Sequence, residues 1–247
     1  MSIEQELETS RFQTVLPALR DWLDSEWGQY LMTLERDQLC EVLSHTFGHH
    51  ACTLGIVPDS SLLELSRISN CVFLTPLEER RARFTVRIIE NMWGIQPRSM
   101  NLVLLQHALE FADRPHRVLR EACRAICAGG KLVVVGFNPY SFWNLNRTLA
   151  MGDNSIMREA SFYSASRLQD WLTLLNFRIT EVHFSGGLFP LKWSPSFVHQ
   201  HKLVQKLSVG NFGFGSFYTL VAVKERAGLI PFDHRWRSSG NRLLAGY

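Results

Sequence analysis

Residues 99–139 read SMNLVLLQHALEFADRPHRVLREACRAICAGGKLVVVGFNP, and the order of apolar runs and punctuation in this stretch decides the fold. Residues 102–106 and 131–137 are short, nearly continuous apolar runs, the pattern of strands buried on both faces of a parallel sheet. Between them the spacing changes to three and four. Val118, Leu119, Ala122, Ala125 and Ile126 fall on one stripe, with Arg117, Arg120, Glu121 and Arg124 turned to water. Asp113 is placed to cap this helix over 115–127, Pro115 suits its first turn, and Gly129-Gly130 can take the left-handed conformation that stops it. A buried strand, a helix and a second buried strand in succession are the building unit of a doubly wound α/β sheet.

The same alternation extends outward. Further strands are expected at 50–54, 71–75, 85–89, 177–184 and 217–224, with helical spacing at 60–68 and 164–175. About 30 residues without a sustained crossover-helix pattern separate the last two strands, which suits an antiparallel closing pair. Before this region, Leu16, Leu19, Leu23, Trp27, Leu31, Leu34, Leu39, Val42 and Leu43 recur at helical spacing, with Pro17 early enough for a first turn. The expected organisation is an N-terminal helical extension (1–48), an α/β domain (49–225) and a C-terminal tail (226–247). That tail would pack through Leu229, Ile230, Phe232 and Trp236.

A chain of 247 residues with 46% apolar and 20% charged residues has ample material for a core, which excludes disordered and fibrous classes. No apolar run reaches the ~18–20 residues that cross a bilayer, and the polar, acidic start lacks the basic and apolar regions of a secretory signal. A cytoplasmic location is expected. Five cysteines at irregular spacing read as reduced thiols. Cys123 and Cys127 could share a helix face, and His45, His49 and His50 lie close together, yet neither group has the further ligands a zinc site needs. Residues 1–159 carry 16 basic and 19 acidic groups, whereas 160–247 carry 10 and 4. The basic second half reads first as a solvated face, with nucleic acid as a weaker alternative partner.

The stretch 99–139 resembles the second half of a class I S-adenosylmethionine-dependent methyltransferase domain. The likeness rests on the order of the strand, HALEF, VLREACRAI and GGKLVVVGFNP. It extends more weakly from His50 to Glu225, and the ending GLIPFDHRWR is similar to that of a bacterial branch of the family. The resemblance implies a Rossmann-like, mostly parallel seven-stranded sheet with an antiparallel last strand, and S-adenosylmethionine as cofactor. On the same ground it implies cofactor contacts from Leu54 and Gly55 after the first strand, Thr75 after the second, Glu90 and Asn91 after the third, and Gln106 and His107 after the fourth. Asn138, Tyr140 and Tyr163 would face the acceptor, whose identity the sequence leaves open. Phe142, Trp143, Phe189, Trp193, Phe197, Phe212 and Phe214 would add aromatic wall.

The sequence departs from the family at the cofactor half. Relatives carry an acidic residue and a glycine-rich turn after the first strand, which lets the backbone approach the ligand. Here the turn is Leu54-Gly55-Ile56-Val57-Pro58, with one glycine, added bulk and one backbone N–H removed by proline. Thr75 stands where relatives place an acid that accepts from both ribose hydroxyls. Losing hydrogen bonds to a charged group costs ~1.5–3 kcal/mol, or roughly ten- to a hundredfold in affinity. Two readings therefore stand: an active methyltransferase, or a methyltransferase-like module that has lost the cofactor and serves interaction or regulation. Methyl transfer from a sulfonium needs chiefly positioning and water exclusion, so no obligatory catalytic residue can be sought by type. Dinucleotide, P-loop and nucleophile-elbow motifs are absent from the sequence.

Overall fold

The computed structural model describes residues 10–58, 61–78, 84–89, 92–141, 159–186 and 215–225. Glu90, Asn91, Phe142, Trp143, the aromatic residues between 187 and 214, and the tail from 226 lie outside the described residues.

Seven strands form one sheet: β1 (Phe47–Gly55), β2 (Arg67–Thr75), β3 (Thr85–Arg87), β4 (Met100–Gln106), β5 (Ile126–Phe137), β6 (Phe177–Ser185) and β7 (Phe217–Lys224). Their order is β3-β2-β1-β4-β5-β7-β6. β1 to β5 pair in parallel, and β7 is antiparallel to both β5 and β6. The antiparallel strand is therefore last in sequence but sits inside the sheet, and β6 holds the edge. β4 and β5 are buried along most of their length, as their unbroken apolar runs require.

Among the described residues four α-helices accompany the sheet: α1 (Arg11–Leu23), α2 (Glu26–Ser44), α3 (Pro115–Ala125) and α4 (Ala165–Leu174). The two helical stretches expected at the N-terminus are present as α1 and α2, separated at Asp24 and Ser25. Ser25 Oγ accepts the Gly28 N–H and caps α2, and Ser10 does the same for Gln13 at the start of α1. Because α1 begins at Arg11, Pro17 is a helix-interior residue and not a first-turn one. It lies on the exposed face, where water can serve the Gln13 carbonyl that proline leaves without an intrahelical donor. Phe12, Leu16, Leu19, Leu31, Leu39, Val42 and Leu43 of α1 and α2 share one apolar core with the sheet.

Three local expectations are corrected. The segment expected to be helical over 60–68 is a single 3-10 helix, Ser61–Leu65, followed at once by β2. Residues 56–66 must return the length of a nine-residue strand, ~27 Å, and 3-10 winding covers about 2.0 Å per residue against 1.5 Å for an α-helix. Asp113 does not cap α3: the cap position is Arg114, without a side-chain bond, and the Asp113 carboxylate accepts the Arg11 backbone N–H at 2.9 Å. Nor do Gly129 and Gly130 stop α3, which ends at Ala125. They lie within β5, where pairing jumps from Met100↔Ile126 to Leu102↔Lys131. Gly129 has φ 81°, and a Cβ on Gly130 would sit 3.0 Å from the Asn101 carbonyl oxygen, so both glycines serve this bulge.

Candidate functional site

The strand order reverses at β1. β2 and β3 lie to one side of it and β4 to the other, so the carboxyl ends of β1 and β4 border the crevice where open α/β sheets bind ligands. Gly55 and Gln106 are register partners at this point. A Cβ on Gly55 would lie 2.7 Å from the Gln106 carbonyl oxygen and 2.8 Å from its Cβ, so the approach of the two strand ends requires glycine here. Leu54, one residue earlier, is buried in the core between Leu74 and Leu105.

Gln106 does not face open space. Its Oε1 accepts the Val57 backbone N–H at 3.3 Å, and its Nε2 donates to Glu35 Oε2 at 2.8 Å. Arg20 Nε donates to the Ile56 carbonyl at 3.3 Å. Two consecutive backbone groups of the turn after β1 are thus held by side chains, one from α1 and one from β4. The bulky turn residues pack inward, with Ile56 fully buried and Val57 and Pro58 half-buried.

His107 also turns inward. Its φ of 50° swings the chain sharply after β4, while its N–H donates to the Val135 carbonyl at 2.9 Å. The ring stacks on Phe137 with centroids 3.9 Å apart. Its Nε2 is 2.6 Å from Glu35 Oε1, and its Nδ1 is 3.2 Å from Glu110 Oε1. Both ring nitrogens face carboxylate oxygens, which is the geometry of an imidazolium donating twice. Burial alone would pull the imidazole pKa down, but the Glu35 charge and the hydrogen bonds to Glu110 and Glu35 outweigh it and raise it to about 10. His107 is therefore a buried cation at neutral pH, and neither it nor Gln106 lines an open side of the crevice as expected.

Glu110 Oε1 also accepts the Phe137 N–H at 2.8 Å. Tyr218 on β7 lies beside it and donates its hydroxyl to the Tyr163 carbonyl at 2.9 Å; burial first and the Glu110 charge second push its phenol well up. Gly136 makes room for this packing, since a Cβ there would meet Tyr218 Oη at 2.7 Å and Glu110 Oε1 at 3.2 Å.

The other expected residues are placed as follows. Thr75 ends β2, is fully buried, and accepts the Leu77 N–H on its hydroxyl at 3.1 Å. Asn138 fastens the end of β5 to the start of β7, donating from Nδ2 to the Gly215 carbonyl and accepting the Tyr140 N–H. Tyr140 is 69% exposed. The Tyr163 ring packs on Trp171 of α4, with Arg167 above it. The structure thus brings Leu54, Gly55, Gln106 and His107 together at one strand-end crevice, with Thr75 on the next strand, while Tyr163 belongs to the α4 side.

Two residues that matter here carried no assigned role in the sequence reading, Glu35 and Glu110. Glu35 had a signal: it lies in register with Leu31, Leu39 and Val42 on the buried stripe of α2, and a carboxylate on an apolar stripe marks a partner inside. Among the described residues no group of three His, Cys, Asp or Glu side chains is arranged to hold a metal, and no helix is long and apolar enough to cross a membrane.

Comparison with known proteins agrees with this fold. Residues 58–134 match the family described as a methyltransferase domain. The protein YafS of Escherichia coli K12, itself uncharacterised, is 29% identical over 178 residues, which cover 70% of each chain. An S-adenosylmethionine-dependent methyltransferase from Thermotoga maritima superposes with a TM-score of 0.64 at 19% identity, covering 87% of this chain and 98% of that one. One from Archaeoglobus fulgidus gives 0.51 at 14% identity, covering 76% and 94%. At these identities the solved structures speak for the fold. The alternative of a non-catalytic interaction module gains no support from these likenesses.

Proposed function

We propose that this chain, a member of the class I S-adenosylmethionine-dependent methyltransferase family, is an active methyltransferase that holds its cofactor at the carboxyl ends of β1, β2 and β4. The single observation carrying this reading is the glycine-permitted contact of Gly55 with Gln106 at the point where the strand order reverses.

The residues present suit such a ligand. Around Gly55 lie the polar groups such a ligand would need, the Glu35 carboxylate, the Gln106 carboxamide and the Val57 N–H, bonded to one another here. Thr75 ends β2 beside this point, fully buried and accepting the Leu77 N–H on its hydroxyl. A hydroxyl makes fewer and weaker bonds than a carboxylate at that point, so cofactor affinity is lower than an acid would give. When bound, the cofactor supplies a methyl group already activated by the sulfonium, and the protein has only to hold an acceptor in line and keep water out.

The chain's own contribution is positional. His107, charged and locked between Glu35 and Glu110, fixes α2 and the loop after β4 against the strand ends and does not serve as a base. Asn138 and Tyr140 after β5, together with Tyr163, form the acceptor side in this proposal. The acceptor is left as an unspecified nucleophile. A nucleic-acid acceptor would draw on the basic second half, most of which lies outside the described residues.

Thermal unfolding with saturating S-adenosylmethionine or S-adenosylhomocysteine tests the reading. A ligand at a hundred times its Kd adds ~2.7 kcal/mol, which raises the midpoint by about 5–10 °C in a chain of this size. An unchanged midpoint at millimolar concentration of both ligands refutes it.

A further inference from the structure

Arg114, Arg117 and Arg120 recur at every third residue along the exposed side of α3, about 4.5 Å apart along its axis, and the first turn of the helix contains no acid. Guanidinium groups at this spacing repel one another, and those nearest the start of the helix also face the positive end of its dipole. Helix stability alone would favour acids at these positions. The nearest acids are engaged elsewhere: Glu121 accepts from Arg124 through both oxygens, at 3.0 and 2.9 Å, and Asp113 accepts the Arg11 N–H. α4 adds Arg167, whose guanidinium lies over the rings of Trp171 and Tyr163, 5.4 and 5.9 Å from their centroids. Among the described residues no carboxylate lies within ion-pair distance of Arg114, Arg120 or Arg167. His116 joins the two helices, with its ring centroid 3.9 Å from that of Trp171. His116 is itself exposed, and Leu174, one turn beyond Trp171 on α4, is 82% exposed.

From these observations we infer that the joined faces of α3 and α4 form a docking surface for a single-stranded nucleic acid. The cations are all arginine, whose planar fork meets a phosphate through two donors where a lysine gives a single point of charge. Arg167 is held by ring faces, which fix its position and leave its N–H donors for a phosphate. The stripe from Arg114 to Arg120 covers about 9 Å of helix axis, less than the ~12 Å width of a duplex major groove, so it suits one strand. His116, Trp171 and Leu174 place ring and apolar surface among the cations. Unpaired bases can cover such surface, whereas the bases of a duplex are stacked inside it, and an acidic peptide would use the cations alone. The surface does not depend on the cofactor reading. Three of its four arginines come from residues 1–159, which are acidic overall, so it is distinct from the basic second half.

Fluorescence anisotropy of the full chain with a labelled oligouridylate of about 12 nucleotides, titrated with salt, tests the inference. With a phosphate on each of the four arginines, the slope of log K against log salt is about −2.8 for a single strand. Arg120→Gln combined with Arg167→Gln weakens binding at low salt about tenfold or more and brings the slope to about −1.4. The thermal midpoint stays unchanged, because both side chains are exposed. Arg114→Gln, read alone, shows a smaller loss in the same direction and replaces the double variant if that one does not fold. Arg36→Gln, which removes an exposed cation of α2, changes neither affinity nor slope. Absence of binding by the wild type at low salt, or an affinity and slope that the arginine variants leave intact, overturns the inference. Tighter binding of a labelled polyglutamate or of phosphatidylserine vesicles, lost in the same variants, also overturns it by assigning the surface to another class of partner. Each of these results leaves the cofactor reading untouched.

Discussion

Replacing Glu35 by Gln tests the buried charge arrangement most directly. The wild-type side chain is fully buried, contacts His107 Nε2 at 2.6 Å and accepts from Gln106 at 2.8 Å. Removing one partner of a buried ion pair costs about 3–5 kcal/mol, because the remaining charge stays buried without compensation. The proton linkage gives a similar size. A histidine raised from 6.5 to about 10 contributes roughly 5 kcal/mol at pH below both values, shared here between Glu35 and Glu110. The midpoint at neutral pH should fall by about 6–20 °C.

The pH dependence is the sharper readout. Since the folded pKa lies above the unfolded one, this stabilisation is complete below about pH 6.5 and disappears as the pH rises through about 10. The groups that face the imidazole are Glu35 from α2, Glu110 from the loop after β4 and the Phe137 ring from β5, with Tyr218 of β7 beside Glu110. Denaturant unfolding of wild type and Glu35→Gln between about pH 6 and 10 should therefore give a stability difference that is largest at the acid end and shrinks toward the alkaline end. A difference that stays constant across that range, or grows with pH, would refute the imidazolium assignment.

Two further outcomes follow from packing and thiol environment. Gly136→Ala places a methyl 2.7 Å from Tyr218 Oη and should cost about 1–3 kcal/mol, read as a lower midpoint that Tyr218→Phe partly restores; no loss would show that β7 can yield there. Under native conditions an alkylating reagent should modify the exposed Cys40 first. Burial pushes the Cys123 thiol up to about 12 and the Cys52 thiol higher still, so these two should stay unmodified until the chain unfolds, as peptide mass spectrometry can establish.

The fold was largely legible in the sequence because its signal is local and repeated. The apolar runs of β4 and β5 are buried on both faces wherever they pair, so their pattern announces strands without reference to partners. The polar residues of the site could be read only in part. Gln106 and His107 end a recognisable strand, yet their direction depends on α2, which meets them 71 and 72 residues away in sequence. Asp113 looked like a cap because helix starts are read from neighbouring residues, and Arg11, which takes its carboxylate, lies 102 residues away.

By itself the sequence determined the strand and helix succession and the one glycine in the turn after β1, since each of these is written in periodicity or in a contiguous motif. Tertiary structure alone decided that β7 slots between β5 and β6, and that Glu35 reaches the strand ends from a helix that sequence assigned to an extension. It alone decided that the amide of Gln106 turns inward onto Glu35 and the Val57 N–H. Those outcomes turn on which distant groups satisfy buried donors, acceptors and charges, and that pairing is settled only when the sheet and the N-terminal helices close on one another.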